Sequence, residues 1–324
     1  MSRQIKYRID GEQVVGPYSA TQPGVVHGLT NDETSQVEIQ IVDDGIESNW
    51  SNPVSVKPYF EPPEPPALWH GWWDHRVNKS SRLPSDLVPY TNIGKSMERN
   101  ISSIVDDGVA VIAQLGKVKE TTQAQRKSRL AGLESGYFPS GAYVPIIHFV
   151  DEPINHENID PRDLEDLADY GRSIYGNKYK YAYTINSGEL YYPTDRPDSD
   201  YPQNFDYVFH QTYPYRNEGG SSFLRSIGNT KSELFASLDL RLQTLRQKIP
   251  ESKFFIVGQG FYGGKYNEPA ADAPLWFMEW CLENTDYVHG LLWWKYFDSK
   301  SWTAVENMPA YLEKIKQAHA MIPS

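Results

Sequence analysis

Two hydrophobic rhythms divide the chain. Between positions 4 and 57, apolar and polar residues alternate: Gln4-Ile-Lys-Tyr-Arg-Ile9, Gln36-Val-Glu-Ile-Gln-Ile-Val42 and Val54-Ser-Val-Lys57 repeat with a period of two between turn residues. A strand sends successive side chains to opposite faces, so this pattern predicts antiparallel strands with one wet face, a small sandwich or half-sandwich. Beyond residue 66 the rhythm changes: strand candidates fall at 67–72, 91–94, 109–114, 144–150, 179–184, 207–211, 254–257 and 288–293, and Val144 to Val150 is a continuous run without polar alternation. Runs without polar alternation suit strands covered on both faces, as in a parallel sheet wrapped by helices. Helical periodicities lie between them, as at 161–175, where Asp160 is a cap and Pro161 sits in the first turn, and at 230–248. Eight strands interleaved with helices predict an α/β barrel.

The two rhythms meet at a segment with five prolines within Pro58–Pro66, which reads as extended and semi-rigid. The expected organisation is a β domain over 1–58, a proline-rich linker over 59–66 and a barrel over 67–324.

Composition narrows the possible partners. The net charge of -11 and the lack of any Lys/Arg run argue against nucleic acid and anionic membrane. Cys281 is the only cysteine, which excludes an intrachain disulfide or a cysteine zinc cluster, and its apolar neighbours predict an inert buried thiol. No His/Asp/Glu cluster has metal-ligand spacing, and the glycine-rich stretch 260–267 lacks a phosphate-cradling pattern, so no metal and no cofactor is expected. No run approaches 18 apolar residues, and the first residues lack a signal-peptide core, so the expectation is a soluble chain, exported if at all by another route or after losing a leader. The 9 Trp and 22 Tyr residues, many beside strand ends, suit a carbohydrate partner, since rings stack on sugar faces and hydroxyls bond to them.

The stretch from Tyr143 to Pro153 carries the clearest chemistry: an apolar run ends abruptly in Asp151-Glu152-Pro153. Barrel active sites are built at the C-terminal ends of the strands, which is where these carboxylates fall. Adjacent strand residues point to opposite sides, so a regular strand cannot aim both carboxylates into one cleft. The alternative is a solvated loop start with Asp151 capping the next helix.

Residues 1–58 resemble about the last two thirds of a fibronectin type III module, through Tyr7, Val25-Val-His-Gly-Leu29 and Gly45-Ile-Glu-Ser-Asn-Trp-Ser-Asn-Pro53. The resemblance implies a spacer or docking unit whose sheet is shortened or is completed by a protein partner. Residues 67–320 resemble glycoside hydrolases with a (β/α)8 TIM barrel. Asp151-Glu-Pro153 is similar to the Asn-Glu-Pro that clan A retaining enzymes carry on the fourth strand, and His210-Gln-Thr-Tyr213 to that clan's sixth strand. Gly290-Leu-Leu-Trp-Trp-Lys295 looks like the strand that bears a platform tryptophan. Phe254-Phe-Ile-Val-Gly-Gln-Gly260 resembles the nucleophile strand except that Gln259 stands where Glu is expected.

An amide cannot act as the nucleophilic carboxylate, so three readings follow from the resemblance. Adjacent Asp-Glu is also similar to substrate-assisted β-N-acetylhexosaminidases and β-N-acetylgalactosaminidases. In that reading Asp151 polarises the sugar's acetamide and Glu152 is the general acid. The second reading is a clan A retaining glycosidase inactivated at Gln259, or a non-catalytic carbohydrate-binding barrel such as a virion or surface adhesin. The third is an inverting enzyme using Glu268 or Asp298. Further expected site residues are Tyr213 and Tyr215 near the acetamide or the acid, Trp72 and Asp74 under the sugar, and His210 and Gln259. Trp293 and Trp294 point to opposite faces, and Trp293 is placed in the cleft. An extracellular or virion-associated setting, including a phage tail, is the expectation for a polysaccharide-degrading barrel with a docking module.

Overall fold

A computed structural model describes residues 3–10, 12–19, 35–43, 46–56, 66–73, 84–97, 101–105, 108–116, 118, 121–139, 142–154, 159–191, 197–215, 230–298 and 301–323. The chain divides into two compact units, Met1–Pro63 and Glu64–Ser324.

The first unit is an antiparallel sheet of β1 (Arg3–Ile9), β2 (Glu12–Ser19), β3 (Ser35–Asp43), β4 (Ile46–Glu47) and β5 (Val54–Val56), ordered β2-β1-β3-β4 with β5 beside β3. Strands β1, β3 and β5 fall on the alternating segments. The sequence pattern missed β2, which contains Gly16 and Pro17, two residues that suppress a strand signature. Between the pairs Ile5–Tyr18 and Tyr7–Val15, two residues of β2 (Gly16 and Pro17) lie against one of β1 (Lys6), so an irregularity in pairing falls at the Gly-Pro step. Proline is tolerated there because β2 is an edge strand. Positions 25–29, part of the fibronectin resemblance, lie outside the described residues.

The second unit is a closed parallel barrel. Its strands are β6 (Trp69–Trp72), β7 (Ile93–Met97), β8 (Ala110–Gln114), β9 (Ile146–Asp151), β10 (Lys180–Asn186), β11 (Tyr207–Thr212), β12 (Lys253–Gln259) and β14 (Val288–Trp294), paired in chain order, with β14 returning to β6. A (β/α)8 TIM barrel therefore follows a small all-β unit, and each strand overlaps a predicted strand. A two-stranded ribbon of β13 (Phe261–Tyr262) and β15 (Thr303–Ala304) sits outside the ring. The helices are α1 (Ser102–Val105), α2 (Gln123–Ala131), α3 (Leu133–Gly136), α4 (Pro161–Tyr175), α5 (Ser187–Tyr191), α6 (Lys231–Lys248), α7 (Ala273–Glu283) and α8 (Pro309–His319). Asp160 caps α4 by accepting the Arg162 N–H, with Pro161 in the first turn, and Thr230 caps α6.

Strand parity divides the core into two. Ile93, Ile112, Ile146, Ala182, Phe209, Phe255, Val257 and Leu292 fill the barrel interior. Their neighbours, such as Ile147, Phe149, Val208, Phe254, Ile256 and Leu291, pack outward against helices through Leu164, Leu234, Leu238 and Phe277. Strands such as β9 and β12 are thus covered on both sides, which is why their sequences read as nearly continuous apolar runs. The ring closes where β14 meets β6. There Trp293 Nε1 donates to His70 Nε2 at 2.8 Å, and His70 Nδ1 lies 3.0 Å from His319 Nδ1 on α8. Gly71 admits its neighbour strand, because a Cβ at that position would lie 1.7 Å from the Ile93 carbonyl oxygen.

Candidate active site

The end of β9 resolves the parity problem with a bulge. Ala182 pairs with His148 and Thr184 with Asp151, so one residue of β10, Tyr183, opposes two of β9, Phe149 and Val150. Phe149 and Val150 consequently both face the outer core. The inward parity of Ile146 and His148 passes from Val150 to Asp151, whose carboxylate is half-buried. Gln211, inward on β11 with Phe209, donates from Nε2 to Asp151 Oδ1 at 3.0 Å and fixes its orientation. Glu152 follows with φ 52°, also half-buried, and its N–H donates to the Thr184 carbonyl at 3.0 Å. For a residue with a Cβ, the left-handed region costs about 1–2 kcal/mol, and such strain gathers at functional sites.

Beneath this turn the barrel interior becomes polar. His148 Nε2 and Thr184 Oγ1 are 2.7 Å apart, and the Lys95 ammonium lies 3.5 Å from the centre of the Trp73 ring, which meets His148 edge-on. Burial, and then the charge of Lys95, push the His148 imidazole well below the usual histidine range and leave it neutral at neutral pH. Lys95, Thr184 and Gln211 were not among the expected site residues. The signal was a lysine inside a barrel strand, together with the parity that Phe209 gives Gln211.

Aromatic rings wall the rim at β11, β12 and β14. Tyr213 stacks on Trp294 with centroids 5.3 Å apart and planes 28° from parallel, while Phe261 and Trp302 meet Trp294 edge-on with centroids 4.8 and 5.1 Å away. Tyr213 and Trp294 are half-buried, leaving part of each ring for a ligand face. Tyr213, an expected site residue, thus lies among the rim aromatics against Trp294.

Several expected site residues lie elsewhere. Trp293, not Trp294, is the tryptophan that packs against helices: it is fully buried against Phe277 and Tyr311. Trp72 shares that outward parity and packs edge-on against Tyr296. His210 is outward too, enclosed behind the wall with Nδ1 2.7 Å from Thr212 Oγ1. Burial, then Arg241 on α6, lower its pKa well below the usual range. The Tyr215 ring is buried in the outer core. Asp74 lies outside the described residues.

Gln259 departs furthest from its expected role. It is wholly buried, and its Nε2 donates to the carbonyls of Phe261 (2.9 Å), Asn267 (3.0 Å) and Tyr215 (3.4 Å), while Oε1 accepts the Tyr215 N–H at 3.2 Å. Both ends of the amide are thus spent on backbone, and the side chain braces the segment after β11 against the loop after β12. Among the other carboxylates considered, Asp298 organises its own loop by accepting from Ala304 N–H and Asn307 Nδ2, and Glu268 is exposed. No group of three or more His, Cys, Asp or Glu residues among the described residues could hold a metal ion.

No family model and no curated protein matches this chain. Solved structures of the β-glucuronidase from Ruminococcus gnavus are similar in outline. The complex with D-glucaro-d-lactam gives a TM-score of 0.47 at 11% identity over 94% of this chain and 59% of that one, and the complex with D-glucuronic acid gives 0.46 at 11% over 93% and 57%. The chain spans less than three fifths of the length of these structures. A likeness this loose carries no chemistry.

Proposed function

We propose that the barrel is a glycosidase acting on a glycan at an N-acetylhexosamine by substrate-assisted retention. Glu152 is the general acid that protonates the leaving oxygen, and Asp151 holds and polarises the acetamide whose oxygen attacks the anomeric carbon. The observation that carries this reading is the β9 bulge, which turns Asp151 into the barrel mouth directly before a left-handed Glu152. The ends of the other described barrel strands bring no carboxylate: they finish at Trp72, Met97, Gln114, Asn186, Thr212, Gln259 and Trp294. A route that needs one carboxylate to polarise and one to donate a proton fits this supply better than one that needs a nucleophile from β12. Gln211 suits the role of Asp151, because a fixed carboxylate oxygen leaves the other in a defined direction for an acetamide N–H. The stacked Tyr213 and Trp294 supply a face for the sugar ring.

The test is hydrolysis of 4-nitrophenyl glycosides with and without a 2-acetamido group. The expected outcome is release from acetamido substrates alone, with kcat reduced about 10²–10⁴-fold in Glu152→Gln and by a similar factor in Asp151→Asn. Equal turnover of substrates lacking the acetamide would sink the substrate-assisted route. Sugar binding without turnover in the wild type would make the barrel a lectin-like module.

A further inference from the structure

Glu152 occupies a backbone region that a residue with a Cβ holds only where its surroundings over-determine it. Two anchors flank it, both on the β10 side. Before it, its own N–H is tied to the Thr184 carbonyl. After it comes Pro153, which has no N–H to offer, and then Ile154, whose N–H donates to Glu189 Oε1 at 2.8 Å. The other oxygen of Glu189 accepts the Asn186 N–H at 3.4 Å, and Asn186 Oδ1 accepts the Glu189 N–H at 2.8 Å, so the carboxylate is itself seated on the start of α5. Glu189 is fully buried. A carboxylate in such a place is expensive unless hydrogen-bonded, and bonds to an ionised acceptor are roughly twice as strong as neutral ones. Its neighbours Leu190 and Tyr191 are buried apolar residues, which gives the position no packing reason to carry a charge.

We propose that Glu189 is a positioning residue for Glu152. Its carboxylate staples the chain beyond Pro153 to the end of β10, and so holds the left-handed turn that aims Glu152 at its substrate. The effect on rate rests on the glycosidase reading above, but the effect on geometry does not.

The full-length Glu189→Gln protein keeps the side chain's size and loses its charge and one of its two acceptor oxygens. With a 4-nitrophenyl N-acetylhexosaminide, kcat is expected to fall about 10–100-fold while KM stays within about twofold, because a displaced acid weakens the transition state rather than binding. Amide hydrogen exchange at Ile154 and Asn186 should quicken while the strands on the far side of the barrel keep their protection. Asn186→Ala is a milder second variant that removes the acceptor of the Glu189 N–H while keeping the backbone donor to its carboxylate, and it should give the same pattern with smaller amplitude. Unchanged kcat in both variants, or a loss that only follows the unfolded fraction in a thermal melt, overturns the positioning role. Should the wild type cleave none of the glycosides, the glycosidase reading fails by itself. Exchange at Ile154 and the ¹³C shift of the Glu152 carboxyl then decide the positioning role, and no change in either on Glu189→Gln rejects it.

Discussion

The fourth and seventh strands of the barrel end in opposite ways. At the end of β9 a bulge breaks the pleat and hands the inward direction to Asp151, a residue with a Cβ sits in the left-handed region directly after it, and both acidic residues are half-buried. At the end of β12 the pairing with β11 and β14 runs regularly to the last residues, and a neutral amide is enclosed by backbone partners on every side. Both ends resemble the catalytic strands of the same enzyme clan, yet only one holds the strain and exposure that chemistry leaves behind. The other shows the full satisfaction typical of a buried structural side chain. Motif resemblance located both ends, and hydrogen-bond accounting separates them.

The sharpest way to break this contrast is Gln259→Glu. A carboxylate there would face the carbonyl oxygens of Tyr215, Phe261 and Asn267, which now accept from the amide. The expected cost is about 2–4 kcal/mol of stability, read from urea unfolding, with no gain in hydrolysis. If instead the variant folds as well as the parent and hydrolyses faster, β12 is a disabled nucleophile strand and the contrast collapses.

Acid probes the polar layer under β9, where His148 lies, and the closing seam, where His70 lies; β12 has no histidine. Burial, then His319, lower His70 to about 3, and His148 and His210 are displaced in the same direction. These imidazoles are neutral when folded, whereas the unfolded chain takes up protons near pH 6.5. Their stabilising contribution is therefore complete above about pH 6.5 and is lost as the pH falls towards about 3. Melting temperature should drop across that window, and His148→Gln should flatten the drop. A flat profile in the wild type would mean that these imidazoles are not held neutral.

The smallest expected effect is that of Gln211→Leu. Without the N–H bond to Asp151, kcat on an acetamido glycoside should fall about tenfold with little change in melting temperature, since one hydrogen bond is worth about 1 kcal/mol. An unaltered kcat would mean that Asp151 needs no orienting.

Much of the fold was legible because burying a parallel strand on both faces leaves an apolar run, as at 144–150 and 254–257, and the eight strand candidates overlap the eight strands. Strand β2 was hidden by Gly16-Pro17, which an edge tolerates. The site was harder to read for one physical reason: parity. Nothing in the sequence says which of Trp293 and Trp294 faces inward, or that His210 stands behind the wall while Gln211 stands within it. Nor does it show that an extra residue at Phe149-Val150 hands the inward direction to Asp151. The role of Gln259 depends on carbonyls from Tyr215, 44 positions away, and Asn267, 8 positions away, whose approach only the folded chain provides.

The seam between β6 and β14 joins side chains 223 positions apart through Trp293 and His70, and 249 apart through His70 and His319. During synthesis, the first barrel strand emerges long before the strand that will complete the ring. Until that last strand is made, the nascent sheet carries two bare edges, each able to pair with another chain. Ring closure is consequently the step at which a holding chaperone has most to protect, and weakening the Trp293–His70–His319 clasp should reveal itself first as aggregation of newly made protein.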